Sequence, residues 1–241
     1  MANTAELTFE RGGDQLRGYA AWPASGGPFN AVILIPDVRG VYEHYRDVTR
    51  RLADAGFFGF ALDLYSREGA PELPDMPSVF RWIRQLPDRR VLDDIAGTAE
   101  FLAARADVRA DAIGVTGFCM GGQYALMAAC TVAKLKACVS WYGMLRYAEN
   151  DDVKPASPLQ LAPRLGCPYL GLFGADDALI PQTDVEELRE TLAREHKVFE
   201  IKVYAGAGHA FFNDTRGDAF RPEAAADAWP RSIAFLRQHL R

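Results

Sequence analysis

Residues 117–122 (GFCMGG) follow an apolar, strand-like run and open an alanine-rich, helical one. Small residues on both sides of the central position let the backbone turn sharply and lift the central side chain into the open. That side chain is Cys119. The unpaired N–H groups of a helix start carry partial positive charge, so they favour a thiolate and a developing oxyanion there. Taken alone, the motif fits a catalytic nucleophile and a buried structural cysteine about equally well.

Two later segments supply the partners that a catalytic cysteine needs. Residues 171–181 (GLFGADDALIP) end an apolar strand in an acidic turn, and residues 204–212 (YAGAGHAFF) carry His209 out of the next strand. In a triad the sulfur attacks, the histidine moves the proton, and a carboxylate fixes the tautomer of the histidine. The order of nucleophile, acid and base along the chain is that of the α/β-hydrolases.

His209 is the predicted base, because it alone among four histidines follows a strand and lies in a glycine-rich turn. The other three lie among charged residues or in a terminal helix and are predicted to be solvated at the surface: His44, His196 and His239. Asp177 is the predicted acid, since Asp-x-x-Ile-Pro fits a turn leading into the next helix. The neighbouring Asp176 is the alternative, and either acid could simply cap that helix.

Length and composition favour a single enzyme domain over residues 1–241. The chain is 49% hydrophobic, which allows a large core within the usual size of one α/β domain. Its charges are interleaved, with a net charge of −5, which disfavours nucleic-acid and membrane partners. The four cysteines lack C-x-x-C pairing, and the sequence has no long apolar run. We therefore expect a cytoplasmic protein with reduced thiols, either a monomer or a weak homodimer.

Strand and helix patterns alternate along the chain. Residues 6–10 and 16–22 alternate around two glycines and predict an N-terminal antiparallel hairpin. Later apolar runs, each followed by a helical pattern, predict a doubly wound, mostly parallel sheet with helices on both faces. Residues 66–86 contain several prolines and charged residues and are predicted to be irregular. The carboxyl ends of such strands carry the site, and all three candidate side chains fall there.

Five short phrases occur together in this chain: Asp63-Leu-Tyr, residues 117–122, Trp141-Tyr-Gly, residues 174–181 and Gly208-His-Ala-Phe. Together they resemble the dienelactone hydrolase (carboxymethylenebutenolidase) family of α/β-hydrolases, from about residue 30 to the C-terminal helix. The resemblance implies a cysteine nucleophile, with Cys119, Asp177 and His209 as the triad. It also implies hydrolysis of small esters or lactones through a thioacyl-enzyme, with no metal or other cofactor.

Further roles are expected beside the triad. The backbone N–H groups of Met120 and Val38 would receive the oxyanion, since this fold places the second donor in the loop after its third strand. Members of the family carry a glutamate before that loop, in contact with the resting cysteine, and here Asp37 takes its place. The side chain of Asp37 is one methylene group shorter than that of glutamate. Asp37 is expected either to influence Cys119 or to be only a turn residue.

Substrate-binding residues are the least constrained by the sequence. The family holds a substrate carboxylate with arginines, one of them four residues after the histidine. Here that position is Asn213, and Arg216 follows three residues later. Arg81 is the candidate for the second arginine, with Arg84 as its alternative. Tyr142 is expected to line the pocket, or else to be a core aromatic beneath the loop.

The sequence thus predicts a cysteine-dependent hydrolase whose partner is a small-molecule ester or lactone. Two alternatives stay open. One is a thioesterase or another acyl hydrolase on the same scaffold, and the other is a binding protein that keeps the fold without turnover. An intact triad disfavours the binding protein, which has no use for a base histidine and its orienting acid.

Overall fold

An eight-stranded sheet forms the centre of the computed structural model, which describes residues 2–241. The strands are β1 (Asn3–Arg11), β2 (Asp14–Trp22), β3 (Phe29–Ile35), β4 (Phe58–Leu62), β5 (Val108–Phe118), β6 (Leu135–Trp141), β7 (Tyr169–Gly174) and β8 (Phe199–Tyr204). Their spatial order is β1-β2-β4-β3-β5-β6-β7-β8. β2 is antiparallel to both of its neighbours, and all other pairs are parallel. The predicted α/β-hydrolase fold with its N-terminal hairpin is confirmed.

Helices fill most of the connections between the strands. They are α1 (Glu43–Asp54), α2 (Met76–Gln85), α3 (Asp88–Ala103), α4 (Met120–Thr131), α5 (Pro158–Leu161), α6 (Gln182–Arg194) and α7 (Pro222–His239), with a 3-10 turn at Ala162–Arg164. Among residues 2–241, none of these helices has both the length and the apolar character that crossing a bilayer requires.

The helices cover both faces of the sheet, as predicted. α1 and α7 lie together on one face, and α3, α4, α5 and α6 follow one another on the other. Two glycines of β5 show this division. A side chain on Gly114 would press against Leu240 at the end of α7, whereas one on Gly117 would overlap the backbone of α4. The two positions are three residues apart and therefore point to opposite faces of the strand.

The prediction of irregular structure over residues 66–86 is wrong in its second half, where α2 forms. The Asp75 side chain caps this helix by accepting the Ser78 N–H at 2.8 Å. Pro77 lies in the first turn, where the N–H that proline lacks would have no helical partner in any case. In the sequence pattern the prolines of this segment indicate interruptions, but Pro77 is part of the first turn of a helix. Only Ile83 of α2 is fully buried.

The prediction that His44 lies at the surface is also wrong. Its side chain is buried, and its Nδ1 lies 3.1 Å from Asp214 Oδ1 in the loop before α7. Charged neighbours in the sequence suggested exposure, but position 44 falls on the same stripe of α1 as the buried Tyr45 and Val48. His196 is exposed as predicted, and His239 is half-buried.

Candidate active site

A strained turn between β5 and α4 holds Cys119 at the carboxyl end of the sheet. Its φ of 57° and ψ of −118° are unfavourable for a residue with a side chain, and such strain is typical of functional sites. Gly117 and Gly121 make the turn possible. A Cβ on Gly117 would overlap the Gly121 carbonyl, and a Cβ on Gly121 would overlap the Ile35 carbonyl. The Cys119 N–H donates to Trp141 O at 3.0 Å, which ties the turn to β6.

His209 and Asp177 form a hydrogen-bonded pair beside this turn. His209 Nδ1 lies 2.8 Å from Asp177 Oδ2, and the other carboxylate oxygen accepts the Leu179 N–H at 2.9 Å. The Asp177 side chain is fully buried, whereas Asp176 is exposed. A buried carboxylate on Nδ1 keeps the proton on that nitrogen and leaves Nε2 free to act.

The Cys119 sulfur lies close enough to His209 to alter its ionisation. Burial by itself lowers the pKa of His209, but the charge of Cys119 and the hydrogen bond to Asp177 outweigh it and raise the pKa to about 10. His209 Nε2 is buried and has no well-formed hydrogen bond to any protein atom. The sulfur thus acts on the ring without ideal hydrogen-bond geometry, which is common in active sites before substrate binds.

Two backbone N–H groups are available where an oxyanion would form. Met120 begins α4, where an N–H has no partner within the helix, and Val38 lies in the loop after β3. Among residues 2–241, neither N–H donates to a backbone acceptor. The Val38 carbonyl accepts the Tyr65 hydroxyl at 2.5 Å, which holds this loop in place. Val38 and Met120 both line the cavity that also contains Cys119 and His209.

That cavity has a volume of about 340 Å³, enough for a small ester or lactone. The turn at Cys119 and the loop after β3 line one part of it, and apolar side chains of α2 line another. Two arginines, Arg39 and Arg216, also line it. The remaining apolar lining residues are Leu73, Met144, Leu179 and Ala210.

Asp37 lies in the cavity wall but is engaged by Arg39. Its Oδ1 accepts the Arg39 N–H at 2.9 Å, and its Oδ2 accepts the Arg39 guanidinium at 2.7 Å. Among residues 2–241, Asp37 makes no hydrogen bond to Cys119. Its influence on the cysteine therefore stays a prediction. The pairing with Arg39, two residues away, is a feature that the sequence reasoning missed.

Tyr142 lies beside His209. Its ring packs edge-on against His209, with centroids 5.2 Å apart, and the whole side chain is buried. The Tyr142 hydroxyl has no hydrogen-bond partner within the protein. Tyr142 is thus a core aromatic that supports His209, and it does not line the cavity described above.

The predicted substrate arginines lie apart from one another. Arg81 is exposed on α2 and faces a neighbouring groove, and Arg84 in the same groove is bound to Asp151 at 2.7 Å. Asn213 is buried and donates to the Tyr42 hydroxyl at 2.7 Å. Of these four residues, only Arg216 lines the cavity of Cys119.

Gln123 is a cavity residue that the sequence reasoning overlooked. It lies one helical turn after Cys119, and its N–H donates to Cys119 O at 3.1 Å. The spacing of four residues after the nucleophile could have identified it, because such residues share a helix face. Among residues 2–241, no cluster of three or more potential metal-ligating side chains is present.

Comparisons with known proteins identify the family to which this sequence is similar. The model of the dienelactone hydrolase family matches residues 16–240. A Bradyrhizobium protein provisionally assigned as a 2-oxo-3-(5-oxofuran-2-ylidene)propanoate lactonase is 38% identical, over 95% of this chain and 91% of its own. An Escherichia coli K12 protein provisionally assigned as a carboxymethylenebutenolidase is 37% identical, over 94% of this chain and 84% of its own. A Klebsiella pneumoniae crystal structure, provisionally assigned as a dienelactone hydrolase, superposes with a TM-score of 0.93 at 38% identity and 99% coverage of both chains.

Proposed function

We propose a cysteine-dependent mechanism for this chain, which belongs to the dienelactone hydrolase family and is a hydrolase of esters or lactones. In the proposal Cys119 is the nucleophile, His209 the general base and Asp177 the orienting acid. The observation that carries it is the His209 ring, which is bound by Asp177 at Nδ1 and influenced by Cys119 from the cavity side.

The reaction would proceed in two halves. The raised pKa of His209 favours transfer of the Cys119 proton to its Nε2, and the sulfur attacks the substrate carbonyl carbon. The resulting oxyanion is held by the Met120 and Val38 N–H groups, and its collapse breaks the bond to the leaving oxygen. His209 gives its proton to that oxygen. The acyl group stays bound to the Cys119 sulfur as a thioester. A water deprotonated by His209 then cleaves the thioester, releases the carboxylic acid and restores the thiol.

The other cysteines are unsuited to this chemistry. Burial raises the pKa of Cys130 and of Cys167 to about 12 and that of Cys138 well above the ordinary thiol value. Cys119 is partly exposed in the cavity, and all four thiols are free. Free thiols throughout, one of them the proposed nucleophile, support the prediction of a cytoplasmic, reducing setting.

The substrate is proposed to be a small lactone or ester that carries a carboxylate. The Bradyrhizobium relative is named for a propanoate lactone, which is an anion of this kind. Arg39 in the cavity is already paired with Asp37. Arg216 is only loosely paired, with Asp218 at 3.6 Å, and so is the better placed of the two to receive a substrate carboxylate.

Arg216→Gln tests this assignment. We expect KM to rise roughly tenfold for lactones that bear a carboxylate and to stay close to the wild-type value for neutral lactones, since only the former lose a charged hydrogen bond. Steady-state kinetics on both classes measure the effect. Arg146→Gln, on an arginine outside the cavity, is the control. An equal rise in KM for both classes would contradict the carboxylate role.

The mechanism is tested with a panel of small esters, lactones and thioesters, assayed on the wild type and on Cys119→Ala. We expect turnover of esters or lactones that disappears in Cys119→Ala, and a mass increase equal to the acyl group on the peptide that contains Cys119. Turnover confined to thioesters would favour the thioesterase alternative. Binding without turnover would favour the binding protein.

A further inference from the structure

A buried polar cluster lies behind the wall of the catalytic cavity. Lys154 is 1% exposed, and its ammonium donates to Asp88 Oδ1 at 2.7 Å and to Tyr124 Oη at 2.8 Å. Asp88 is equally buried, and Tyr124 donates to the same Oδ1 at 2.9 Å. A buried ammonium needs a paired anion, so the cluster keeps Asp88 as a carboxylate that only accepts hydrogen bonds.

This cluster reaches the cavity through Tyr147 and Gln123. The Tyr147 hydroxyl lies 2.9 Å from Asp88 Oδ2, and Gln123 Nε2 lies 2.7 Å from the Tyr147 oxygen. Since Asp88 can only accept, Tyr147 must donate its single proton to it. The Tyr147 oxygen is then free only to accept, so it faces the NH₂ group of Gln123. The orientation of the Gln123 amide is thereby fixed.

The fixed orientation leaves one acceptor unpaired. Gln123 is 1% exposed, and its Oε1 is buried as well. This oxygen nevertheless has no hydrogen-bond partner within the protein. Because Nε2 is held against Tyr147, Oε1 cannot exchange places with it to find a donor. Gln123 lines the cavity one helical turn from Cys119.

We infer that Gln123 Oε1 recognises a hydrogen-bond donor on the substrate, so that the cavity selects esters or lactones that carry a hydroxyl group. The inference rests on the proposed function, because it concerns the same cavity and the same reaction. Sites built to pair with a substrate hydroxyl discriminate strongly against analogues that lack it, since the buried protein group then stays unpaired. Gln123 is thus a specificity-determining residue.

Hydroxyphenyl acetates provide a direct test. The hydroxyl is placed at the ortho, meta or para position of the leaving group, and each ester is paired with its methoxy counterpart. Methoxy and hydroxyl groups have similar electronic effects, but a methoxy oxygen cannot donate. We expect wild-type kcat/KM to favour the hydroxyl member by roughly 10- to 100-fold at one position at least. In Gln123→Met this ratio should fall to about one.

Two further variants separate recognition from general damage. Tyr147→Phe keeps Gln123 but removes the hydroxyl that fixes its amide. We expect its hydroxyl-to-methoxy ratio of kcat/KM to lie between that of the wild type and that of Gln123→Met. Gln238→Met changes an exposed glutamine of α7 and should keep the wild-type ratio. Thermal melts monitored by circular dichroism establish that each variant is folded, and Tyr147→Phe takes the place of Gln123→Met if the latter is not.

Equal kcat/KM for the hydroxyl and methoxy members at all three positions would overturn the inference, as would a ratio that survives Gln123→Met. If none of the six esters is turned over, calorimetry decides the inference, and the panel of esters, lactones and thioesters decides the proposed function. The same six esters are titrated into Cys119→Ala and Cys119→Ala/Gln123→Met. Preferential binding of a hydroxyl member that is lost in the double variant supports the donor site, and equal affinities refute it.

Discussion

Two histidine–aspartate pairs meet on the loop between β8 and α7, which gives a histidine to one pair and an acid to the other. His209 Nδ1 lies 2.8 Å from Asp177, and His44 Nδ1 lies 3.1 Å from Asp214. In both rings Nε2 is buried without a well-formed hydrogen bond. The two pairs are therefore alike in the arrangement that orients a catalytic histidine.

Their pKa values nevertheless shift in opposite directions. Burial lowers the pKa of both rings, but in His209 the charge of Cys119 and the bond to Asp177 raise it to about 10. The pKa of His44 stays below its ordinary value, because burial dominates and Arg51 adds to it. The Arg51 guanidinium also donates to Asp214 Oδ2 at 2.8 Å, so Arg51 and His44 share this carboxylate as a partner.

The surroundings of the two rings explain the contrast. His44 packs against aromatic rings, including Tyr45 at 5.0 Å and Phe212 at 6.1 Å between centroids. His209 opens onto the cavity that contains Cys119. A histidine paired with an aspartate is thus only a well-oriented ring, and the group facing its second nitrogen decides whether it serves structure or proton transfer.

The contrast is tested most strongly by removing each ring in turn. His209→Gln should lower kcat for ester hydrolysis by roughly 10⁴-fold or more, because no other group can take the cysteine proton. His44→Gln should keep kcat within a few-fold of wild type, since His44 touches none of the reacting groups. Steady-state kinetics on folded variants measure both. Comparable losses in the two variants would abolish the distinction.

The two acids should differ in the same way. Asp177→Asn should reduce kcat by about 10⁴-fold, because an amide favours the wrong histidine tautomer. Asp214→Asn should have little effect on kcat, and the exposed Asp176→Asn serves as a neighbouring control. A large loss in Asp176→Asn and a small one in Asp177→Asn would exchange their roles.

Titration of the two rings by NMR sharpens the comparison. In the wild type, the proton of His209 should be lost near pH 10, whereas His44 should titrate below its ordinary value. Cys119→Ala removes the largest influence that raises the pKa of His209, so His209 should titrate at a lower pH in this variant. His44 should titrate unchanged in that variant. If His209 had the same pKa in Cys119→Ala as in the wild type, the sulfur would not influence the ring.

The smallest expected effect concerns the stability of the fold in mild acid. The folded-state pKa of His44 lies below the unfolded value of about 6.5, so the unfolded chain binds a proton more readily than the folded one does. The contribution of His44 to the free energy of unfolding should therefore decrease as the pH falls below about 6.5. Urea denaturation between pH 5 and 8 should show a shallower loss for His44→Gln. If the free energy of unfolding decreased equally steeply with falling pH in the wild type and in His44→Gln, this prediction would be wrong.

Parts of the molecule whose structure depends on local sequence were predictable. The turn at Cys119 is recognisable from its glycines, and the alternation of strand and helix patterns predicts the mostly parallel sheet with helices on both faces. The position of His44 depended on which face of α1 turns inward, and charged neighbours concealed that face. The pairing of Arg39 with Asp37 and the fixed amide of Gln123 depend on side-chain contacts between segments, which no spacing reveals.

α2 has one consequence for how such a protein can diverge. It contributes apolar side chains to the cavity lining, but only Ile83 of the helix is buried, while Met76 and Phe80 are exposed. Substitutions at half-buried or exposed positions cost little folding stability. Gene copies could therefore accumulate changes in α2 and acquire new substrates while the turn that holds Cys119, with its glycines, is inherited intact.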